Sequence, residues 1–525
     1  MRGTIALIHS KYVVLNQKKR VVESSILSYL LPDDIIEYDE IDSEIHIRRL
    51  LARKRQFFMA IVNEKDDNCV SIFSYGLPKF FRPAFPSYQK SKIGDVLIIE
   101  ATIDGMLIYR SYGSIKNRLI DKQVITDLYH LNAKNAMSDI PLHYTQEGTV
   151  YYTKEFRDLS HLHTFNVDPT HSKDFDDAIS IENNKIYVHI VDAHSMIPMH
   201  SKIEKQAFSH AFTLYLPEGN QNILPQELAE DKLSLVKGEP RNVVTIEYSI
   251  DETFQVMSYE IYPSSIVIKE RYDYAEFGDR LDKFPFLVQC AQKWQKKTFP
   301  VPHVKFEIDE NGKISNHYYE TNVDQAHKII ETLMILTNMT ISQHIPHKIP
   351  QRYHTRIKNF DNIVSVTDNE VVNSILTVKK YRNAVYDSHN SGHFGLKLSS
   401  YTHFTSPIRR YFDVILHRML AGYHLKNLDA VLEHVNQREH SIDQLVTVYR
   451  TLKILDYMEI EIKDKNKPIQ GYILSTTDKG VVVLLEDFLY EAFVFTTQPF
   501  TVGEKVSVMV TDVSWLTMSL KIKMI

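Results

Sequence analysis

At 525 residues, 43% hydrophobic and 24% charged, the chain is too long for one compact core and too apolar for wholesale disorder, so about three to five domains are expected. The formal net charge of −5 argues against a surface clad in basic residues for nucleic acid, although a basic channel inside an acidic protein stays open. Its two cysteines, Cys69 and Cys290, stand far apart in no motif, which excludes a disulfide framework and speaks against a cysteine zinc site.

Residues 1–120 read as β structure, with short apolar runs at 12–15, 57–62 and 95–99 bounded by turn residues. The first residues lack the basic stretch and apolar core of a signal peptide, and residues 3–8 read as a strand. A pattern of lone apolar strand, Pro or Gly with Asp, then strand recurs at 31–36 and 93–97. It suggests two tandem barrels, a short one at 1–44 and a second at 45–120. Between them Arg48, Arg49, Arg53, Lys54 and Arg55 precede Phe57 and Phe58. These residues fit single-stranded nucleic acid, with phosphates on the charges and bases on the rings. They fit equally a basic strand edge with both phenylalanines in the core.

Residues 121–163 form a mixed connector. From Phe165 strands alternate with helices, and 178–181 with 186–191 read as a hairpin turning near Asn183 and Asn184. Residues from about 324 to 342 are expected to be helical, with Ile329, Ile330, Leu333, Met334 and Leu336 forming a core stripe. A second long helix is expected from about 429 to 462. After the linker 463–468, runs at 471–474, 480–485 and 502–510 read as a further five-stranded barrel, residues 463–525. No run of about 18 apolar residues occurs, so no membrane span is expected, and the location is read as cytoplasmic.

Asp168, Asp174, Asp176 and Asp177 place four carboxylates within ten positions, just before a strand and beside Pro169. Carboxylates this crowded repel one another, and a hard divalent cation such as Mg²⁺ removes that penalty and suits phosphoryl chemistry. The same residues also fit an exposed acidic turn or a structural calcium loop, although the EF-hand pattern is absent. In the run His403-Phe404-Thr405-Ser406-Pro407-Ile408-Arg409-Arg410-Tyr411, Ser406 reads as a helix N-cap with Pro407 at the first helical position. Its free N–H groups with Arg409 and Arg410 would suit a phosphate; an ordinary capped helix with solvated arginines is the plainer alternative. Tyr215, before Leu216 and Pro217, reads as a base-stacking or a core tyrosine. His389 and His393 are four apart, but Ser391 and Gly392 between them argue against a helical zinc pair.

In this order the motifs resemble the ribonuclease II family. The likeness runs from Arg157, Asp158 and Leu159, through Thr164 to Pro169 and Lys173 to Ala178, to His189-Ile190-Val191-Asp192. It resumes at Tyr215-Leu216-Pro217, Leu224 to Leu228 and Leu233-Ser234-Leu235. It ends at His393 to Leu396, Tyr401 to Tyr411, Asp413 and His417-Arg418. The resemblance implies a multidomain α+β protein. A mixed α/β RNB catalytic domain, 164–462, would be flanked by small OB-type β-barrels, two N-terminal and cold-shock-like, one C-terminal and RNA-binding. It implies 3′-to-5′ hydrolysis of single-stranded RNA with a free 3′ end to nucleoside 5′-monophosphates, by a monomer. Asp168, Asp174, Asp176 and Asp177 would hold Mg²⁺, with Mn²⁺ as an alternative. Asp176 and Asp174 would serve cleavage, Arg409 would stabilise charge on the phosphate, and Tyr215 and Arg410 would hold the RNA 3′ end. A catalytically silent RNA-binding scaffold is the rival reading; it predicts the loss of at least one carboxylate, and all four stand. The sequence departs from the family at Val446, where a glutamate is usual, and Glu439 is the nearest acidic residue. It carries no basic C-terminal tail.

Overall fold

The computed structural model describes residues 2–8, 11–15, 20–21, 30–31, 34–41, 44–53, 56–65, 69–74, 84–86, 91–136, 140–146, 150, 152, 155–296, 303–320, 324–345, 349–355, 365–381 and 383–525. Three five-stranded antiparallel sheets share one strand order: third, second, first, fourth, fifth. Their strands lie within Arg2–Ile8 to Glu44–Ala52, Gln56–Lys65 to Gly105–Ser114, and Pro468–Thr477 to Ser519–Met524. In the last sheet, Tyr490–Phe495 also packs against Ser519–Met524, bringing its two edges together.

The first sheet extends further than the sequence suggests. Strand Glu44–Ala52 pairs with Ile35–Ile41, so residues 45–52 complete this sheet instead of opening the next. Alternation explains it: Ile36, Tyr38, Ile45 and Ile47 are buried together with Leu30. The opposite positions carry arginines. Arg48 pairs with Asp39 and Arg49 with Glu37, while Arg53 meets Asp34 at 2.6 Å with both side chains buried. Phe57 is buried and meets Tyr109 edge-on. The described part of the basic run is a charged strand edge beside a core, in which Arg48 and Arg49 stay largely exposed; Lys54 and Arg55 lie outside the described residues.

In the middle of the chain, strands Thr164–Val167, Asp177–Glu182, Lys185–Val191, Pro240–Ile250 and Val256–Tyr272 pair in succession. The longest of them closes the ring. Val256–Tyr272 runs antiparallel to Pro240–Ile250 along most of its length and parallel to Thr164–Val167 at its end. The expected hairpin forms, with Asn183 at φ 55 in its turn. Phe165, Ile179, Val188, Ile190, Ile246 and Ile266 fill the interior.

Helices pack around this sheet. Gln325–His344 is capped by Asp324 and buries Ile329, Ile330 and Leu333, as the stripe predicts. Leu428–Tyr457 continues through a wider turn, Met458–Lys463, before the last sheet begins at Pro468. One apolar cluster joins the second sheet (Phe57, Met59), the helix Ile120–Ala136, the long helix (Leu445, Leu452) and the last sheet (Ile473, Val510). Among the described residues no helix is long and apolar enough to cross a membrane.

Candidate active site

Strand Thr164–Val167 ends where Pro169 removes a ladder donor, and the chain turns through residues 168–176 before the next strand begins at Asp177. Several groups hold this loop. The Arg271 guanidinium donates to the carbonyls of Pro169, Thr170 and Ser172 at 3.1–3.4 Å and lies over the Phe175 ring. Ser234 donates to the Lys173 carbonyl at 2.7 Å and accepts the Phe175 N–H at 3.0 Å. Asn166 donates to the Leu235 carbonyl. These contacts give the Leu233-Ser234-Leu235 block a structural role: it is the clamp of the aspartate loop.

The run 404–410 meets this loop from the far end of the chain. The Ile408 N–H donates to Asp176 Oδ1 at 2.8 Å, and Arg409 Nε lies 3.5 Å from Asp176 Oδ2. Arg409 also donates to Ser406 Oγ at 2.9 Å. The helix here begins at Tyr411 with Arg410 as its N-cap residue, so Ser406 and Pro407 precede it and do not cap it. Its local signal is overridden because the N–H a cap would accept is taken elsewhere: the distant Asp176 accepts that of Ile408, and Ser406 Oγ accepts from the Arg409 side chain. Arg410 is locked by two donations to Asp413, from Nε and Nη2. Tyr215 is not a core residue: it is 43% exposed and its hydroxyl donates to Asp174 Oδ2 at 2.6 Å.

The carboxylates sit in an unfavourable place for charge. Burial, then the charges of Asp177 and Asp174, push the Asp168 carboxyl well above its ordinary range. Burial pushes Asp176 up strongly as well, against the attraction of Arg409. Asp177 rises to about 7 through burial and the neighbouring Asp176. Asp168 Oδ2 is buried with no hydrogen-bond partner. An unpartnered carboxylate oxygen among repelling neighbours fits a hard cation. Among the described residues no three His, Cys, Asp or Glu side chains form a ready ligand cage.

All four aspartates, Tyr215, Arg409 and Arg410 line one cavity of about 1910 Å³. It also gathers residues that carried no usable signal in the sequence. Tyr274 lies face to face with His327, ring centroids 3.6 Å apart. Arg352 lines the wall and holds Glu439 by two hydrogen bonds of 2.7 and 2.9 Å. Glu439 is thereby engaged, while Val446, seven residues on along the same helix, presents an apolar side chain to the cavity.

The RNB-domain family profile matches residues 156–426, just over half of the chain. The chain is 28% identical to ribonuclease R of Aquifex aeolicus, over 86% of its own length and 75% of that protein's. Two solved structures share its fold. Mycoplasma genitalium RNase R in complex with ribose-methylated single-stranded RNA superimposes with a TM-score of 0.80 at 18% identity, covering 100% of both chains. Yeast Ssd1, described as a pseudonuclease, superimposes with a TM-score of 0.71 at 16% identity, covering 97% of this chain and 81% of its own. With the matched region spanning both the aspartate loop and the arginine turn, the chain belongs to the ribonuclease II family, the family of the RNB domain.

Proposed function

We propose that the chain is a 3′-to-5′ exoribonuclease that hydrolyses single-stranded RNA to nucleoside 5′-monophosphates. One observation carries the reading: Asp168, Asp174, Asp176 and Asp177 line the same cavity as Arg409 and Tyr215. Asp168, Asp174 and Asp177 would hold Mg²⁺ or Mn²⁺, directly or through water, and the ion would polarise the scissile phosphate and acidify an attacking water.

The chain's own residues set the geometry. Asp176, fixed by the Ile408 N–H, ties the loop to the arginine turn and keeps Arg409 beside the carboxylates. Arg409 meets the negative charge that builds on the phosphate. Tyr215, exposed and anchored through its hydroxyl, offers its ring to the terminal base. Arg410 spends Nε and Nη2 on Asp413, which leaves its Nη1 edge to the RNA backbone. The three five-stranded modules are read as OB-type barrels that lead a single strand towards the cavity. Choice of RNA over DNA follows from contacts to the ribose 2′-hydroxyl.

The similarity to a pseudonuclease raises a second reading, a silent RNA-binding scaffold. The convergence of all four carboxylates with Arg409 favours the enzyme. The test is to incubate the protein with a 3′-tailed RNA in Mg²⁺ or EDTA and resolve the products. Mononucleotides released from the 3′ end only in Mg²⁺ are expected. Internal fragments, or activity indifferent to EDTA, would overturn the proposal.

A further inference from the structure

We infer that Glu218 is a positioning residue for the nuclease reaction: it pins the turn that presents Tyr215 to the aspartate cluster. The inference rests on the exoribonuclease reading for what Tyr215 contacts. Residues 214–221 form a tight turn whose base is closed by two backbone hydrogen bonds between Leu214 and Gln221, of 3.0 and 2.8 Å. One side of that turn is already committed to the site. The Thr213 N–H donates to the Arg409 carbonyl at 3.0 Å, and the Tyr215 hydroxyl donates to Asp174.

The tip of the turn has no core of its own. It holds Pro217, Glu218 and Gly219, the last at φ 127. What fixes it is a set of contacts to two helices that converge on Glu218. The Glu218 carbonyl accepts Lys122 Nζ from helix Ile120–Ala136 at 2.7 Å. The Glu218 carboxylate accepts the Tyr449 hydroxyl from the long helix and lies 3.9 Å from Lys453 Nζ. Lys453 cannot wander. Its side chain is buried, its Nζ meets Asp121 Oδ2 at 3.0 Å, and it donates to the carbonyls of Arg118 and Gly312. A fixed cation and a fixed hydroxyl thus define where the carboxylate sits. Three residues along, between the buried Leu214 and Leu216, the anchored chain carries the Tyr215 ring.

This arrangement predicts a separation between holding RNA and aligning its last nucleotide. The test uses a short single-stranded RNA carrying 2-aminopurine at its 3′ end, bound in EDTA so that no cleavage occurs. Stacking of that base on Tyr215 quenches its fluorescence in the wild type, and Tyr215→Ala loses the quench. Glu218→Ala is expected to lose it too, with affinity within about twofold of wild type and kcat in Mg²⁺ lowered on the order of tenfold. Glu218→Gln, which still accepts from Tyr449, is expected to keep the quench. The Tyr215→Ala/Glu218→Ala double variant is expected to be no slower than Tyr215→Ala alone. A wild-type quench retained in Glu218→Ala, no Tyr215-dependent quench at all, or multiplicative losses in the double variant would each overturn the inference. Should Glu218→Ala fail to fold, Tyr449→Phe removes only one hydroxyl, and an unchanged quench there would overturn it equally. Binding and stacking are read without turnover, so failure of the wild type to release mononucleotides in Mg²⁺ would sink the exoribonuclease reading separately.

Discussion

At the scale of single residues, Asp176 holds the site together. Its Oδ1 accepts the Ile408 N–H and its Oδ2 faces Arg409, so one carboxylate joins two segments some 230 positions apart. Asp176→Asn removes a charge from the cluster and leaves the rest of the cavity wall in place. Mononucleotide release should fall by at least about a hundredfold, with oligonucleotide affinity within about twofold. Retained turnover would refute the role.

Asp177 gives a pH prediction. Its carboxyl is raised from 3.8 to about 7, so the folded, metal-free protein keeps a proton there that the unfolded chain releases. The stability this contributes is full below pH 3.8 and is lost as pH rises towards 7. Asp177→Asn mimics the protonated carboxyl at every pH. In EDTA, its melting temperature should therefore gain on the wild type between pH 4 and 7, and Mg²⁺ should erase the gain by stabilising only the wild type. Parallel curves for the two proteins across that range would show that Asp177 is not held neutral. The aspartates were legible in the sequence because crowding is a local property. The exposure of Tyr215 was not, because only the partner Asp174, 41 positions away, explains an unburied ring.

At the scale of elements, the loop 168–176 owes its shape to groups outside it. Ser234 is fully buried and bonds the loop twice, to the Lys173 carbonyl and the Phe175 N–H. Ser234→Ala leaves the buried Phe175 N–H and the part-buried Lys173 carbonyl without this partner, a cost of about 1–3 kcal/mol. Thermal unfolding should shift downward, and kcat should fall more than RNA affinity, since the carboxylates lose their alignment; an equal loss in both would point to general loosening. Elements defined by their own periodicity were readable. The hairpin at 177–191 and the helix Gln325–His344 follow from alternation and an apolar stripe. The expected cap at Ser406 failed because the Ile408 N–H it would accept goes to Asp176 and its Oγ accepts from Arg409 Nη2 instead. The partners of the basic run at 48–53 were unreadable as well: Asp39, Glu37 and Asp34 meet its arginines from the neighbouring segment, and pairing across strands is invisible to a local reading.

At the scale of the whole molecule, the last module is seated against the rest through a buried ionic joint. Arg118 lies 3.5 Å from Asp121 and 3.8 Å from Asp456, donates to the Leu452 carbonyl, and carries the Trp515 ring at 4.4 Å. Trp515 in turn donates to Glu459 at 2.8 Å. Burial lowers the Arg118 pKa and raises those of Asp121 and Asp456, and the opposite charges of the cluster work against it. Arg118→Met fills most of the space and removes the cation. It takes from Asp456 its nearest cation and leaves Asp121 to Lys453, a loss of about 3–5 kcal/mol. That loss belongs at the joint. Limited proteolysis should cut faster at the linker 464–467, and the apparent melting temperature should fall, while the central sheet, which does not touch Arg118, keeps its secondary structure. Because Lys453 also reaches Glu218, the variant should slow mononucleotide release as well. An unaltered cleavage pattern with an unaltered rate would mean that the apolar cluster shared by the four elements seats the module without the ionic joint.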